Sequence, residues 1–415
     1  MEAGPMEMIN RLLLQLAVIL FLARVAGEVC ERYLRQPSVL GELVVGIIIG
    51  PYALGSIPIP GLGPLFPTPD SSSSHMAVSS EIYTLAQVGV VLLLFTAGLE
   101  TDIKRFLRYG GAAALVALGG VALPFLLGAA TAWGLGFASS MAAPTALFVG
   151  AMLTATSVGI TTRVLSDIHR LDSAEGITIL AAAVIDDVVG IIVLTIVVSL
   201  SIGGAVSVGE VVTVAGWAIG FWLVLLVGGI LLSVLISRFL MSFKVAGAAI
   251  ALTLALAFLC SALAGSFGLA TIIGAYSIGL ALSNTELAKA VDRPLSAVYY
   301  FLVPVFFVVM GMQVNFWAMG QAWLFGIVLT VLAVLGKLLG CGLPALGLGF
   351  GRLGALRIGV GMMPRGEVGL IVAGVGLGYG VIGSDIFGVA VMVTIITTLL
   401  APPLLVAAFR RSQPG

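Results

Sequence analysis

Apolar runs close to the length of a bilayer-crossing helix recur along the whole chain, and they leave little sequence from which anything else could be built. About 20 mostly apolar residues cross the hydrocarbon core as a helix. Thirteen runs of that order can be marked, at residues 8 to 27, 39 to 55, 82 to 98, 109 to 135, 144 to 166, 174 to 201, 210 to 236, 245 to 264, 268 to 283, 294 to 313, 321 to 348, 354 to 379 and 385 to 408. Of the 415 residues 60% are hydrophobic and only 9% are charged, against about 25% charged in a soluble domain. In lipid each backbone N–H and C=O must be satisfied within its own segment or a closed barrel. Runs of this length therefore predict an all-α polytopic membrane protein. The first run is followed by Glu28, Glu31, Arg32 and Arg35 with no small-residue cleavage site, so it reads as a permanent span and not a removed signal. The stretch from Ser56 to Ser80, rich in Pro, Gly and Ser, has no helical pattern and reads as an external loop.

Basic residues test the helix count independently, because Lys and Arg concentrate in cytoplasmic connections. Arg32 and Arg35, Lys104 to Arg108, Arg163 and Arg170, Arg238 and Lys244, Lys289 and Arg293, Arg352 and Arg357, and Arg410 with Arg411 fall in alternate connections or the tail, 15 of the 19 basic residues. The intervening connections carry none. That alternation predicts an N-terminus outside and a C-terminus in the cytoplasm. With 19 acidic residues against 19 basic ones the chain has no excess charge for a nucleic-acid partner. Cys30, Cys260 and Cys341 are too far apart for a disulfide framework or a metal site and read as packing residues. His75 and His169 fall in loops and read as surface residues.

Arg11 and Arg24 lie near the ends of the first run, where a long side chain can snorkel to an interface. Lys337, Arg365, Asp186, Asp187 and Glu367 lie in the middle of theirs. A charge at that depth costs about 2.5 to 3.5 kcal/mol on insertion scales and marks an ion or proton pathway by default. Asp186 and Asp187 are neighbours, and successive helical positions diverge by about 100°, so one can face a protein partner while the other faces a cavity. Lys337 is the partner that would keep its own charge beside a carboxylate; a purely structural salt bridge is compatible with the same pairing. A hard ion such as Na⁺ suits oxygen ligands of the kind a carboxylate, hydroxyls and carbonyls provide.

Two spans look interrupted. One places Thr154, Thr156, Ser157, Thr161 and Thr162 around Gly159, and the other places Pro364, Arg365, Gly366 and Glu367 at its centre. Proline removes a helical hydrogen bond, glycine lowers helix propensity, and hydroxyls can take up freed backbone groups. Each alone is compatible with an ordinary small-residue packing helix. Together they occupy matching positions in the fourth-to-sixth and eleventh-to-thirteenth spans, the pattern of an inverted repeat whose half-helix ends form a mid-membrane site. Arg365 and Glu367, two apart, would neutralise those half-helix ends or one another.

The segments ATSVGIT, AAVIDDVVGIIVL, LGKLLG and PRGEVGLIVA, with QPSVLGELVVGIIIGP from Gln36 to Pro51 and FTAGLE from Phe95 to Glu100, closely resemble the bacterial monovalent cation:proton antiporters of the NapA type over nearly the whole chain. The resemblance implies about thirteen transmembrane helices in inverted repeats, with two broken helices crossing at mid-membrane, in a homodimer of the bacterial inner membrane. It implies one integral unit over residues 1 to 415, with a core at 109 to 201 and 321 to 408 moving against a dimerisation scaffold at 8 to 98 and 210 to 313. Asp187 then looks like the carboxylate that exchanges Na⁺ for H⁺, Asp186 like the partner of Lys337, and Thr156 with Ser157 like the unwound lining of the site. Lysine at 337 is similar to the electrogenic members. Membrane lipid, Na⁺ and H⁺ are the expected partners, with no resident cofactor and no enzymatic reaction. K⁺/H⁺ exchange and sodium-coupled uptake of an organic anion on a similar fold are the alternatives. An intramembrane aspartyl protease, which needs its aspartates on separate helices, and an ion channel fit less well.

Overall fold

The computed structural model describes residues 5 to 60, 63 to 68, 78 to 201, 208 to 315 and 322 to 410. The chain is built from fifteen α-helices among these residues. The first three are α1 (Pro5–Val29), continued by a π-helical turn at Cys30–Leu34, α2 (Ser38–Ile49) and α3 (Ser80–Glu100). Then come α4 (Ile103–Gly134), α5 (Pro144–Met152), α6 (Val158–Asp167) and α7 (Ala174–Ser201). They are followed by α8 (Val208–Met241), α9 (Ala248–Ser266), α10 (Thr271–Leu282) and α11 (Glu286–Met312). The last four are α12 (Trp323–Gly347), α13 (Gly351–Gly361), α14 (Glu367–Gly378) and α15 (Ser384–Arg410).

Among the described residues nine helices, α1, α3, α4, α7, α8, α9, α11, α12 and α15, are long and apolar enough to cross a bilayer. Helices α2 and α10 are shorter, at 12 residues each. The pairs α5–α6 and α13–α14 each replace one expected span by two short helices with an extended segment between them. The first break runs through residues 153 to 157, ahead of Gly159, which is itself helical. It contains Thr156 and Ser157, the residues expected to be unwound. In the connection after α2, Pro58–Ile59 and Gly63–Pro64 form a two-stranded antiparallel ladder, Pro58 opposite Pro64. Arg11, expected to reach an interface, donates to the Pro64 carbonyl at 2.5 Å, and Gln15 donates to Leu65 at 2.6 Å. His75 lies outside the described residues.

Helices α4, α5, α7 and α12 to α15 pack mainly on one another, as do α1 to α3 and α8 to α11, while α6 touches members of both groups. Small residues set the closest approaches. A Cβ on Gly46 of α2 would stand 2.1 Å from the Val308 carbonyl oxygen of α11, and one on Gly311 of α11 would stand 2.2 Å from that of Leu43. Backbones this close need glycine on both faces. Gly46→Val should push α2 off α11 and lower stability by about 1 to 3 kcal/mol, as overpacking does; unfolding in detergent at wild-type midpoint would show that the seam is loose.

The basic connections meet at one end of the bundle. Arg105 donates to the Asp172 carbonyl at 2.9 Å and Arg410 to that of Arg35 at 2.9 Å. Asp102 caps α4 there, accepting from the Lys104 and Arg105 amides at 2.7 and 3.1 Å, and those two bonds hold its carboxyl below the usual carboxylate range. Arg163 departs from the expectation that it is a loop residue. It lies inside α6 and is only 4% exposed, because Glu42 of α2, Asp167 of its own helix and Tyr299 of α11 take up its charge.

Candidate functional site

Helix α7 is apolar on every side because it is enclosed for most of its first half, and the same enclosure buries Asp186 and Asp187. Asp186 lies 12 residues into the helix, or about 18 Å at 1.5 Å per residue. Its carboxylate receives the ammonium of Lys337 from α12, Nζ standing 3.1 Å from Oδ1 and 3.3 Å from Oδ2, with both side chains fully buried. A charge-assisted bond in so dry a place is strong, and each charge makes the other tolerable. Helix α4, which packs on both α7 and α12, closes the slot around the ammonium. A Cβ on Gly120 would lie 3.6 Å from Lys337 Nζ and 2.4 Å from Cys341 Sγ, so the missing side chain provides the room. Cys30, Cys260 and Cys341 are all buried free thiols.

The two interruptions run against each other beside this pair. The Ser157 amide donates to the Pro364 carbonyl at 2.7 Å. The Thr161 hydroxyl donates to the Gly361 carbonyl at 2.6 Å. The Thr156 hydroxyl lies 3.3 Å from the Met362 oxygen and within hydrogen-bond reach of the Asp186 carboxylate. These bonds replace the intrahelical ones that each segment gives up, which is why non-helical backbone is tolerated inside a membrane bundle. At Gly366 a Cβ would meet the Ser157 hydroxyl at 2.8 Å, so glycine there is what lets the segments close.

The junction gathers four helix ends. Carbonyl ends of α5 and α13 bring partial negative charge and amide ends of α6 and α14 partial positive charge. Arg365, fully buried, serves the carbonyl side: its guanidinium donates to Leu153 at 2.7 Å, to Met363 at 3.1 Å and to Ala333 at 3.3 Å. Leu153 caps α5, Met363 follows the end of α13, and Ala333 is one turn before Lys337 on α12. Glu367 is the first residue of α14, and its side chain lies outside the described residues. The Thr398 hydroxyl of α15 donates to the Arg365 carbonyl at 2.5 Å and fixes the same segment. Thr398→Val should cost about 1 kcal/mol of stability, the usual net worth of one hydrogen bond; no loss in unfolding experiments would make that bond incidental.

The structure thus brings Asp186, Asp187, Thr156, Ser157, Lys337 and Arg365 into one buried region at the meeting of α4, α5, α6, α7, α12 and α13. A second polar cluster escaped the sequence reading. Glu42, Arg163, Asp167 and Tyr299 line a cavity of about 750 Å³ that extends to the exposed Glu28 at the end of the bundle carrying the basic connections. Neither buried aspartate lines it. The expected surface residue His169 lines it too, in a turn with a left-handed backbone (φ 53°).

With this geometry in hand, comparison with known proteins is informative. The family model described as "Sodium/hydrogen exchanger, transmembrane" matches residues 17–411. The "High-affinity Na(+)/H(+) antiporter NhaS3" of Synechocystis sp. is 38% identical, the match covering 99% of this chain and 92% of that protein. The "Na(+)/H(+)-K(+) antiporter GerN" of Bacillus cereus is 36% identical, with 95% of each chain covered. Among solved structures, the sodium proton antiporter MjNhaP1 of Methanocaldococcus jannaschii at pH 8 superposes with a TM-score of 0.67 over 97% of this chain and 99% of that one, at 19% identity. That likeness is one of fold.

Proposed function

Because the chain belongs to the sodium/hydrogen exchanger family, we propose that it exchanges Na⁺ for H⁺ across a membrane at a single site built on Asp187. The observation that carries this is the buried Asp186–Lys337 pair at the junction of two interrupted helices, immediately beside a second buried carboxylate. The two passengers exclude one another, since a carboxylate that takes Na⁺ gives up its proton. Competition is the coupling, and an empty charged site that cannot cross lets neither ion leak. Thr156 and Ser157, with carbonyls freed at the breaks, supply the oxygen ligands that Na⁺ prefers.

On this reading the nine long helices, the two 12-residue helices and the two interrupted pairs make thirteen crossings, with spans four to six inverted relative to eleven to thirteen. The packing of α4 to α7 and α12 to α15 supports a core at residues 109 to 201 and 321 to 408 that moves against a scaffold at 8 to 98 and 210 to 313. The scaffold holds two copies together in the bacterial inner membrane, N-terminus out and C-terminus in. Exchange is electrogenic, with protons carried on Asp187 and, directly or through Lys337, on the aspartate pair. Each net charge moved then responds to voltage by about 2.3 kcal/mol per 100 mV. The antiporter name of the relative GerN includes K⁺, and that favours K⁺/H⁺ exchange as the second reading.

Reconstitution in proteoliposomes, with an ionophore clamping the voltage, separates these readings. Proton movement driven by a Na⁺ gradient, faster than with K⁺ and altered by voltage, is expected; flux driven by K⁺ alone would replace the first reading by the second. Competition also fixes the sign of the pH dependence. Raising the pH removes the competing proton, so the Na⁺ concentration at half-maximal rate should fall, by up to about tenfold per pH unit for each competing proton. A constant that rises with pH would contradict a shared site.

A further inference from the structure

Glu42 and Arg163 are buried charges that the exchange reaction does not use. Arg163 lies six residues beyond Ser157 on α6, about 9 Å along the helix that starts in the ion site. Its Nη2 donates to the Ser38 hydroxyl at 3.0 Å and stands 3.8 Å from Glu42 Oε1, both on α2. Its Cζ lies 5.3 Å from the ring centre of Tyr299 on α11. Both helices belong to the packing group opposite to α7 and α12, so one guanidinium ties the helix bearing Ser157 to that group.

These contacts are unequal. Asp167, 3.2 Å from Arg163 Nε, sits four residues on along α6 and travels with it. Glu42 belongs to α2, and neither of its oxygens accepts a hydrogen bond; a long ion pair alone links it to Arg163. A guanidinium that keeps its own counter-ion can leave Glu42 without becoming an isolated buried charge. The cavity of about 750 Å³ lined by Ser38, Glu42, Arg163, Asp167 and Tyr299 gives it space to do so.

We propose that Arg163 is a releasable tether and a positioning residue for the exchange site. It holds α6, and with it Thr156 and Ser157, against α2 and α11 in the conformation seen here, and lets go when the site turns to the opposite face. The tether therefore biases which side the site faces. The proposal rests on the alternating exchange described above.

A tether of this kind has a signature that a general packing role lacks. Loosening it lowers the population of one conformation and raises that of the other, so apparent Na⁺ affinities at the two faces move in opposite directions. The test measures Na⁺ half-saturation separately from each face in oriented proteoliposomes of the full chain. Glu42→Gln, which leaves the Arg163–Asp167 pair intact, is expected to weaken Na⁺ at one face and strengthen it at the other, changing the ratio by about tenfold. Arg163→Gln should shift the ratio the same way, and Arg163→Lys, which keeps the charge, should stay near wild type. Because Arg163→Gln removes a buried cation and can unfold the protein, Glu42→Gln carries the decision. Equal shifts at both faces, or no shift, would overturn the tether. Wild-type protein that fails to exchange Na⁺ for H⁺ would overturn the functional reading instead.

Discussion

Asp187→Asn is expected to reduce Na⁺-driven proton flux to that of empty liposomes while leaving the protein folded. Asparagine keeps the shape and one oxygen of the side chain and carries neither charge nor a titrating proton. Placing a neutral amide where a carboxylate was buried relieves desolvation, so the change should not weaken the fold. What disappears is the group on which Na⁺ and H⁺ exclude each other. Without that exclusion the two fluxes have nothing to couple them. Asp187 is 5% exposed on a helix whose neighbouring carboxylate already has a lysine, and this division of labour between adjacent residues gives the substitution its large effect. Wild-type flux in the variant would remove Asp187 from the mechanism.

Lys337→Ala is expected to damage stability more than any other single change at the site. Truncation leaves the Asp186 carboxylate buried without its cation, and breaking a buried pair from one side costs about 3 to 5 kcal/mol. Replacing both members by apolar groups of similar size is often close to neutral, so Asp186→Leu combined with Lys337→Met should recover most of the loss. Unfolding of the single and double variants in detergent measures the coupling. If the losses of the single variants simply add in the double variant, the 3.1 Å contact is incidental to the fold.

Most helices were legible because lipid imposes one demand on every span, and a run of apolar residues meets it whatever its neighbours. That Lys337 pairs with one of the two aspartates was legible for a related reason, while the choice of Asp186 was implied by the family resemblance alone. Two charges so deep need each other, although 151 positions separate them. The interruption of the fifth span was legible in place but not in its partners. Glycine and hydroxyl content marked the stretch around Gly159, and the resemblance marked Thr156 and Ser157, which lie in the break at residues 153 to 157, where the Leu153 carbonyl turns to Arg365 and the Ser157 amide to Pro364. Those partners come from the other interrupted span, and local propensity holds no record of them. Arg163 was misread for the opposite reason. Counting basic residues by side treats each as solvated, and only the fold brings Glu42, Ser38 and Tyr299 around this one.

The central claim is that Na⁺ and H⁺ compete for the carboxylate of Asp187. Proton release on adding Na⁺ to weakly buffered, detergent-solubilised protein measures that competition without any transport step. Wild-type protein should release protons in saturable proportion to the Na⁺ bound, and Asp187→Asn should release none. Saturable Na⁺ binding without proton release, or release that survives in Asp187→Asn, would contradict it.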